Sequence, residues 1–422
     1  MNRSYKTVTE VTDWGGPYVT KLILPLPESV ESEILAEDTF NVYVERRNKI
    51  NGDVLELRKD FTSEEKYLSK GYCKVIKTYA SDEKGNIKVE GKYATLELEC
   101  EPIYRINSEI ALLKSHNEYV YCNFYITQIK EIKTKDKILG LVYDQLISNN
   151  MDQIKGWTNS EPTNMETSLR YGYYKPIQNK GEHPLIIWLH GAGEGGYDTT
   201  IAYTGNNVVN LSSDKIQQLF NGAYVLAPQV PTMWMDDGTG KYTMSGKSKY
   251  VKALKLLIDE FIDVHSNIDE NRMYIGGCSN GGFMTMRMII DYPGFFTAAF
   301  PVCEALQDDL ITDEQITDIK NTPIWFTHTK NDTIVDPNTT VIPTYKRLLK
   351  AGASDVHFTF FDKIVDNTGT FTDEGDKPFE FFGHASWIYM LKDKCTFDYD
   401  DSPVNINGKN VSLLQWLALQ NK

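Results

Sequence analysis

Six short runs, at 184–190, 222–229, 272–277, 298–303, 322–328 and 356–361, are apolar along nearly their whole length. A strand of that kind has no face to offer to water, so a sheet built from such strands must be covered on both sides. Helical stretches separate the runs, and strands alternating with helices form a mostly parallel, doubly wound α/β sheet. Between the second and third runs, Val251, Leu254, Leu257, Ile258, Phe261 and Ile262 recur at a period near 3.6, which is the stripe of a helix packed on a sheet. Residues 338–353 read as a later helix ended by Gly352, and residues 411–420 as a C-terminal one.

The first third of the chain obeys a different period. Residues 18–26, 40–47, 71–80, 86–100 and 119–130 alternate apolar and polar positions, and the Gly- and Asn-bearing link at 81–86 suits a hairpin. This pattern predicts a small all-β immunoglobulin-like sandwich over residues 1–139 and an α/β domain over residues 140–422. With 41% hydrophobic and 24% charged residues the chain carries enough buriable surface for two cores.

A formal net charge of −14 repels phosphate backbones and anionic lipid surfaces, which argues against nucleic acid and membranes as partners. The sequence has neither an apolar membrane span nor a secretory signal over its first sixteen residues. The expected location is the cytoplasm as the chain stands, or outside the cell if a signal has been removed. The six cysteines lack C-x-x-C spacing, so they read as buried thiols rather than as a metal knuckle.

The segment that carries chemistry is Gly277-Cys278-Ser279-Asn280-Gly281, placed between a strand ending near Gly276 and a helix. A serine on so sharp a strand-to-helix turn has strained backbone angles, and its flanking residues must be small for strand and helix to approach each other. Glycines in the loop His190-Gly191-Ala192-Gly193-Glu194-Gly195-Gly196, after the first apolar run, leave backbone N–H groups uncovered. The loop has no P-loop lysine and no G-x-G-x-x-G spacing, so an oxyanion hole formed by the N–H groups of Ala192 and Asn280 is the better reading than a phosphate cradle.

Serine needs a histidine to take its proton and a carboxylate to orient that histidine. Where such an elbow is used, the chain order is Ser, acid, His. His384 follows Gly383 in a loop, whereas His357 lies inside a strand-like run, which favours His384 as the base. Asp332 sits just beyond the run at 322–328, with Asp336 and Glu304 as rival acids. Trp234 and Trp387 are candidate walls of an acyl pocket, with core packing the equal alternative for each, and Glu194 is a candidate brace of the oxyanion loop or a solvated loop acid. Cys278 reads as a packing residue rather than a nucleophile.

Residues 268–284 resemble the polyhydroxybutyrate-depolymerase and feruloyl-esterase-like branch of the α/β-hydrolases, as do the His190–Glu194 loop and the Gly383-His384-x-x-Trp387 segment. With the β-rich leader, the whole resembles bacterial esterases that carry an N-terminal immunoglobulin-like domain. The resemblance implies an α/β-hydrolase fold and a triad of Ser279, Asp332 and His384, acting without cofactor or metal on a small-molecule ester, plant-derived or glycan-linked substrates included. Self-association is left open. Cys278 departs from the leucine commoner before the serine. The rival expectations are a prolyl-oligopeptidase-type peptidase, which needs a propeller that about 140 residues without blade repeats cannot build, and a binding protein on an inactive hydrolase fold.

Overall fold

The computed structural model describes residues 3–56, 68–102, 105–113, 116–161, 169–177 and 181–422. The chain forms two compact units, Met1–Lys155 and Gly156–Lys422. The division falls beyond the expected boundary at 139/140 because two further strands, Val142–Tyr143 and Gln145–Asn150, pair back onto the first unit. Gln145–Asn150 is exposed throughout, and its two apolar residues, Leu146 and Ile147, are adjacent, so no apolar alternation marks it as a strand.

The first unit is an immunoglobulin-like sandwich. One sheet has five strands and the other four. Alternation puts Leu22, Leu24, Ala94 and Leu96 of the first sheet and Val42, Val44, Phe124 and Ile126 of the second into one shared core, each essentially without solvent exposure.

In the second unit eight strands make one sheet: β1 (Trp157–Ser160), β2 (Arg170–Tyr174), β3 (His183–Leu189), β4 (Tyr224–Gln229), β5 (Ile268–Cys278), β6 (Ala298–Val302), β7 (Ile324–Thr329) and β8 (Val356–Phe361). Their spatial order is β1-β2-β4-β3-β5-β6-β7-β8. Strands β3 to β8 are parallel, whereas β1 and β2 run antiparallel at one edge. The six parallel strands are the six apolar runs of the sequence. The edge pair is richer in Tyr, Asn and Thr and is partly exposed, so it lacks the continuous apolar signature.

Helix α1 (Val251–Val264) buries Leu254, Leu257, Ile258 and Phe261 against this sheet, as its stripe requires. Helix α2 (Asn280–Asp291) follows β5 directly and is buried along most of its length, as suits a helix beneath the centre of a parallel sheet. Because β3, β5 and β7 are parallel, their carboxyl ends lie along the same edge of the sheet, and the loops that leave them carry the candidate site.

Candidate active site

Ser279 joins β5 to α2 at φ 56° and ψ −113°, a conformation that costs a non-glycine residue on the order of 1–3 kcal/mol. The surroundings impose it. A Cβ on Gly281 would lie 1.9 Å from the Leu189 carbonyl oxygen, and one on Gly277 would lie 2.4 Å from the same atom. Only glycines let α2 and the end of β5 close on β3, and that closure leaves the serine in the turn. Its N–H donates to the Val302 carbonyl at 2.9 Å, which ties the turn to β6.

Asn280 is the first residue of α2, so its N–H has no acceptor within the helix and lies at the positive end of the helix dipole. Its side chain is locked: Oδ1 accepts from the Trp234 backbone N–H at 2.6 Å. Ala192 opens the short 3-10 turn Ala192–Glu194, and its N–H is likewise free of a helical acceptor. Buried His190 holds that loop. Its Nε2 accepts from the Val230 N–H at 3.2 Å, so the proton sits on Nδ1, which donates to the Gly191 carbonyl at 2.6 Å. Burial lowers the His190 pKa to about 4, which keeps the ring neutral in this role. Glu194 is buried, and its carboxylate lies 2.9 Å from where a Gly191 Cβ would be.

Asp332, three residues beyond β7, accepts at both carboxylate oxygens. Oδ1 takes the N–H groups of Ile334 at 2.8 Å and Val335 at 3.0 Å, while Oδ2 takes His384 Nδ1 at 2.7 Å and His328 Nε2 at 3.0 Å. Burial alone would raise this carboxyl's pKa, but the two imidazoles and the Val335 N–H outweigh it and hold the group well below the usual carboxylate range. His384 arrives on the chain returning from β8. That return is fixed by Thr329 Oγ1 donating to the Gly383 carbonyl at 2.5 Å, and by Gly383, where a Cβ would lie 2.4 Å from the Asn331 carbonyl oxygen. With Nδ1 engaged by Asp332, Nε2 is the ring nitrogen of His384 left for other partners.

The two rival acids do other things. Burial pushes the Glu304 carboxyl up to about 8, so it is mostly uncharged at neutral pH, and its Oε2 accepts from the Leu306 N–H at 2.7 Å. Asp336 is exposed and caps the turn at Asn338. His357 bonds Asp398 at 2.7 Å and contacts Asp355 at 3.3 Å, away from Asp332. The Cys278 thiol is buried and pushed well above its ordinary pKa by burial, which suits a packing residue.

Of the expected pocket walls, Trp387 is half-buried, with its ring edge-on to His384 at 5.7 Å between centroids. Trp234 takes the core reading rather than that of a pocket wall: it is fully buried, its ring 5.2 Å from that of His190. Its loop is turned inward by Asp236, whose buried carboxylate accepts from Thr232, Gly238 and Gly240 and pairs with Lys249. His328 went unnoticed in the sequence. The signal was there in the spacing His328-x-x-x-Asp332, a strand-end histidine that the following turn folds back onto the acid. Among the described residues, no group of three or more His, Cys, Asp and Glu is arranged to hold a metal ion.

Residues 4–140 match the esterase immunoglobulin-like N-terminal domain, and residues 176–366 match the phospholipase/carboxylesterase family. The second unit is an α/β-hydrolase domain that matches the carboxylesterase family over residues 176–366. The chain is thus a carboxylic ester hydrolase with an immunoglobulin-like leader. The family match includes Ser279 and Asp332 and ends before His384. The esterase is similar over 100% of both chains to the crystal structure of a thermostable esterase, at 22% identity and a TM-score of 0.73. It is also similar, over 87% of its own length and 69% of the other's, to the Pyrococcus horikoshii acylaminoacyl peptidase (12% identity, TM-score 0.43). A ferulic acid esterase matches over 49% of this esterase and 90% of its own chain (13% identity, TM-score 0.38). No curated protein sequence matches the esterase.

The pairing of His357 has a consequence for stability. Burial alone would lower its pKa, but bonds to Asp355 and Asp398 overcome this and raise it to about 9. A raised folded-state pKa stabilises fully below the unfolded value near about 6.5, and that contribution disappears as the pH rises through about 9. Asp355 and Asp398 are shifted the other way, to below their ordinary values, so their share is lost only in acid. His357→Gln should therefore cost about 2–3 kcal/mol at pH 6 and much less at pH 10, while ester turnover persists. Urea unfolding at the two pH values checks this; an equal cost at both would refute the ion-pair assignment.

Proposed function

We propose that the protein is a serine esterase that works through an acyl-enzyme, with Ser279 as nucleophile, His384 as general base and then acid, and Asp332 as the orienting carboxylate. The observation that carries this reading is the Asp332–His384 bond of 2.7 Å in the same unit as a serine held at φ 56° on a strand-to-helix turn. In the first step Ser279 Oγ bonds to the acyl carbon as its proton passes to His384 Nε2, and the carbonyl oxygen gains negative charge. The N–H groups of Ala192 and Asn280 are assigned to that charge. Collapse then expels the alcohol with the histidine's proton, and water repeats the sequence to free the acid.

The substrate class proposed is a small short-chain or aromatic, feruloyl-like ester. The half-buried Trp387, edge-on to His384, gives an acyl group a flat apolar wall. An amide leaves only when its nitrogen is protonated in register, and that demands an extended cleft to align a peptide; the β-sandwich leader is not a propeller that would supply one. The test is a pair of substrates with one acyl group, one an ester and one an anilide. The ester is expected to have a kcat/KM higher by orders of magnitude. Comparable values would favour the peptidase reading.

A further inference from the structure

The triad reading leaves His328 unexplained. It lies in β7, is wholly buried, and is four residues before Asp332. Its Nε2 lies 3.0 Å from Asp332 Oδ2 and 3.2 Å from the Val335 carbonyl oxygen. Both are acceptors only, so the ring proton belongs on Nε2. Nδ1 is buried without a hydrogen-bond partner among the described residues and keeps its lone pair.

The geometry separates the tasks around the carboxylate. The N–H groups of Ile334 and Val335 pin Oδ1 alone, and a carboxylate held at one oxygen still pivots about its Cβ–Cγ bond. Pivoting would carry Oδ2 away from His384. A second donor on Oδ2 stops it, and the identity of that donor matters. A lysine or arginine there would neutralise Asp332 and compete with the charge that His384 acquires when it takes the serine proton. An imidazole with a bare Nδ1 holds the oxygen without supplying a positive charge.

We propose that His328 is a positioning residue for the reaction: by donating Nε2–H to Asp332 Oδ2 it fixes the carboxylate plane on which His384 is oriented. This rests on the serine-triad reading. His328→Leu keeps the bulk and removes the donor. It should lower kcat 10- to 100-fold, roughly the effect of one hydrogen bond to a charged group, with KM changed less than about two-fold. His328→Gln places an amide Nε2 the same number of bonds from Cβ and should recover most of the lost kcat. A purely structural role would lower the melting temperature in both variants without a split between kcat and KM and without rescue by glutamine.

Wild-type kcat in a folded His328→Leu variant overturns the proposal, as does a glutamine variant no better than the leucine one. If the leucine variant does not fold, the wild-type protein decides. The chain has seven histidines, and after ¹⁵N-histidine labelling the signal missing from His328→Gln should be that of an Nε2-protonated tautomer. An Nδ1-protonated signal overturns the assignment. Turnover surviving in Ser279→Ala would instead sink the triad reading, whereas an inactive Ser279→Ala beside a fully active His328→Leu would sink this inference alone.

Discussion

Ser279→Ala is expected to lower kcat/KM for a simple ester by about 10⁵-fold or more, leaving the residual rate that binding and oxyanion donors alone sustain. The variant should fold. Only Oγ is removed, the φ of 56° is imposed by Gly277 and Gly281 rather than by the serine side chain, and the Ser279 N–H keeps its bond to Val302. Its melting temperature should stay within about 3 °C of the parent's, since surface-type changes without a lost contact cost little. Turnover with purified, folded protein measures the effect, and loss of labelling by an active-site phosphonate supports it. Substantial turnover in this variant would remove Ser279 from the mechanism.

The second large effect belongs to Asp332→Asn, and the structure dictates how the new amide sits. The oxygen must remain at the Oδ1 position, where it accepts the N–H groups of Ile334 and Val335, so the NH₂ group replaces Oδ2. That group is a donor facing two ring nitrogens that also donate. His384 can resolve the conflict by moving its proton from Nδ1 to Nε2, and a ring protonated at Nε2 cannot accept the serine proton. A loss of kcat of about 10³- to 10⁴-fold is expected, with little change in KM. Glu304→Gln and Asp336→Asn should stay within roughly three-fold of the parent, because neither carboxylate bonds His384. A loss confined to Glu304→Gln would transfer the acid to the end of β6.

How legible the candidate site was depended on how local each signal is. The strand, glycine and serine order around Ser279 is local chemistry, and so is the glycine loop after β3. A histidine placed after Gly383 in a loop, against one inside an apolar run, could be ranked for the same reason. The structure adds that His384 bonds Asp332, and that Glu304 is too deeply buried to hold a charge easily. Burial depth of a carboxylate at a strand end depends on what the neighbouring helix and loops cover, and no short pattern encodes that. Trp234 shows the same limit. Nothing local in its loop decides between pocket wall and core; in the structure Asp236 accepts from the Gly238 and Gly240 N–H groups and the indole is buried.

By itself, then, the sequence determined what repeats or clusters along the chain. The period of two in the leader and the six continuous apolar runs behind it specify a sandwich and a parallel sheet, because burial on one face or on two writes itself directly into residue order. The glycines around Ser279 specify the turn for the same local reason. Tertiary structure alone decided the exposed edge strands, the burial of Trp234 and the depth at which Glu304 is buried. These rest on contacts between segments far apart in the chain or on a turn whose direction is set by its surroundings, and hydrogen bonds of that kind have no period to betray them.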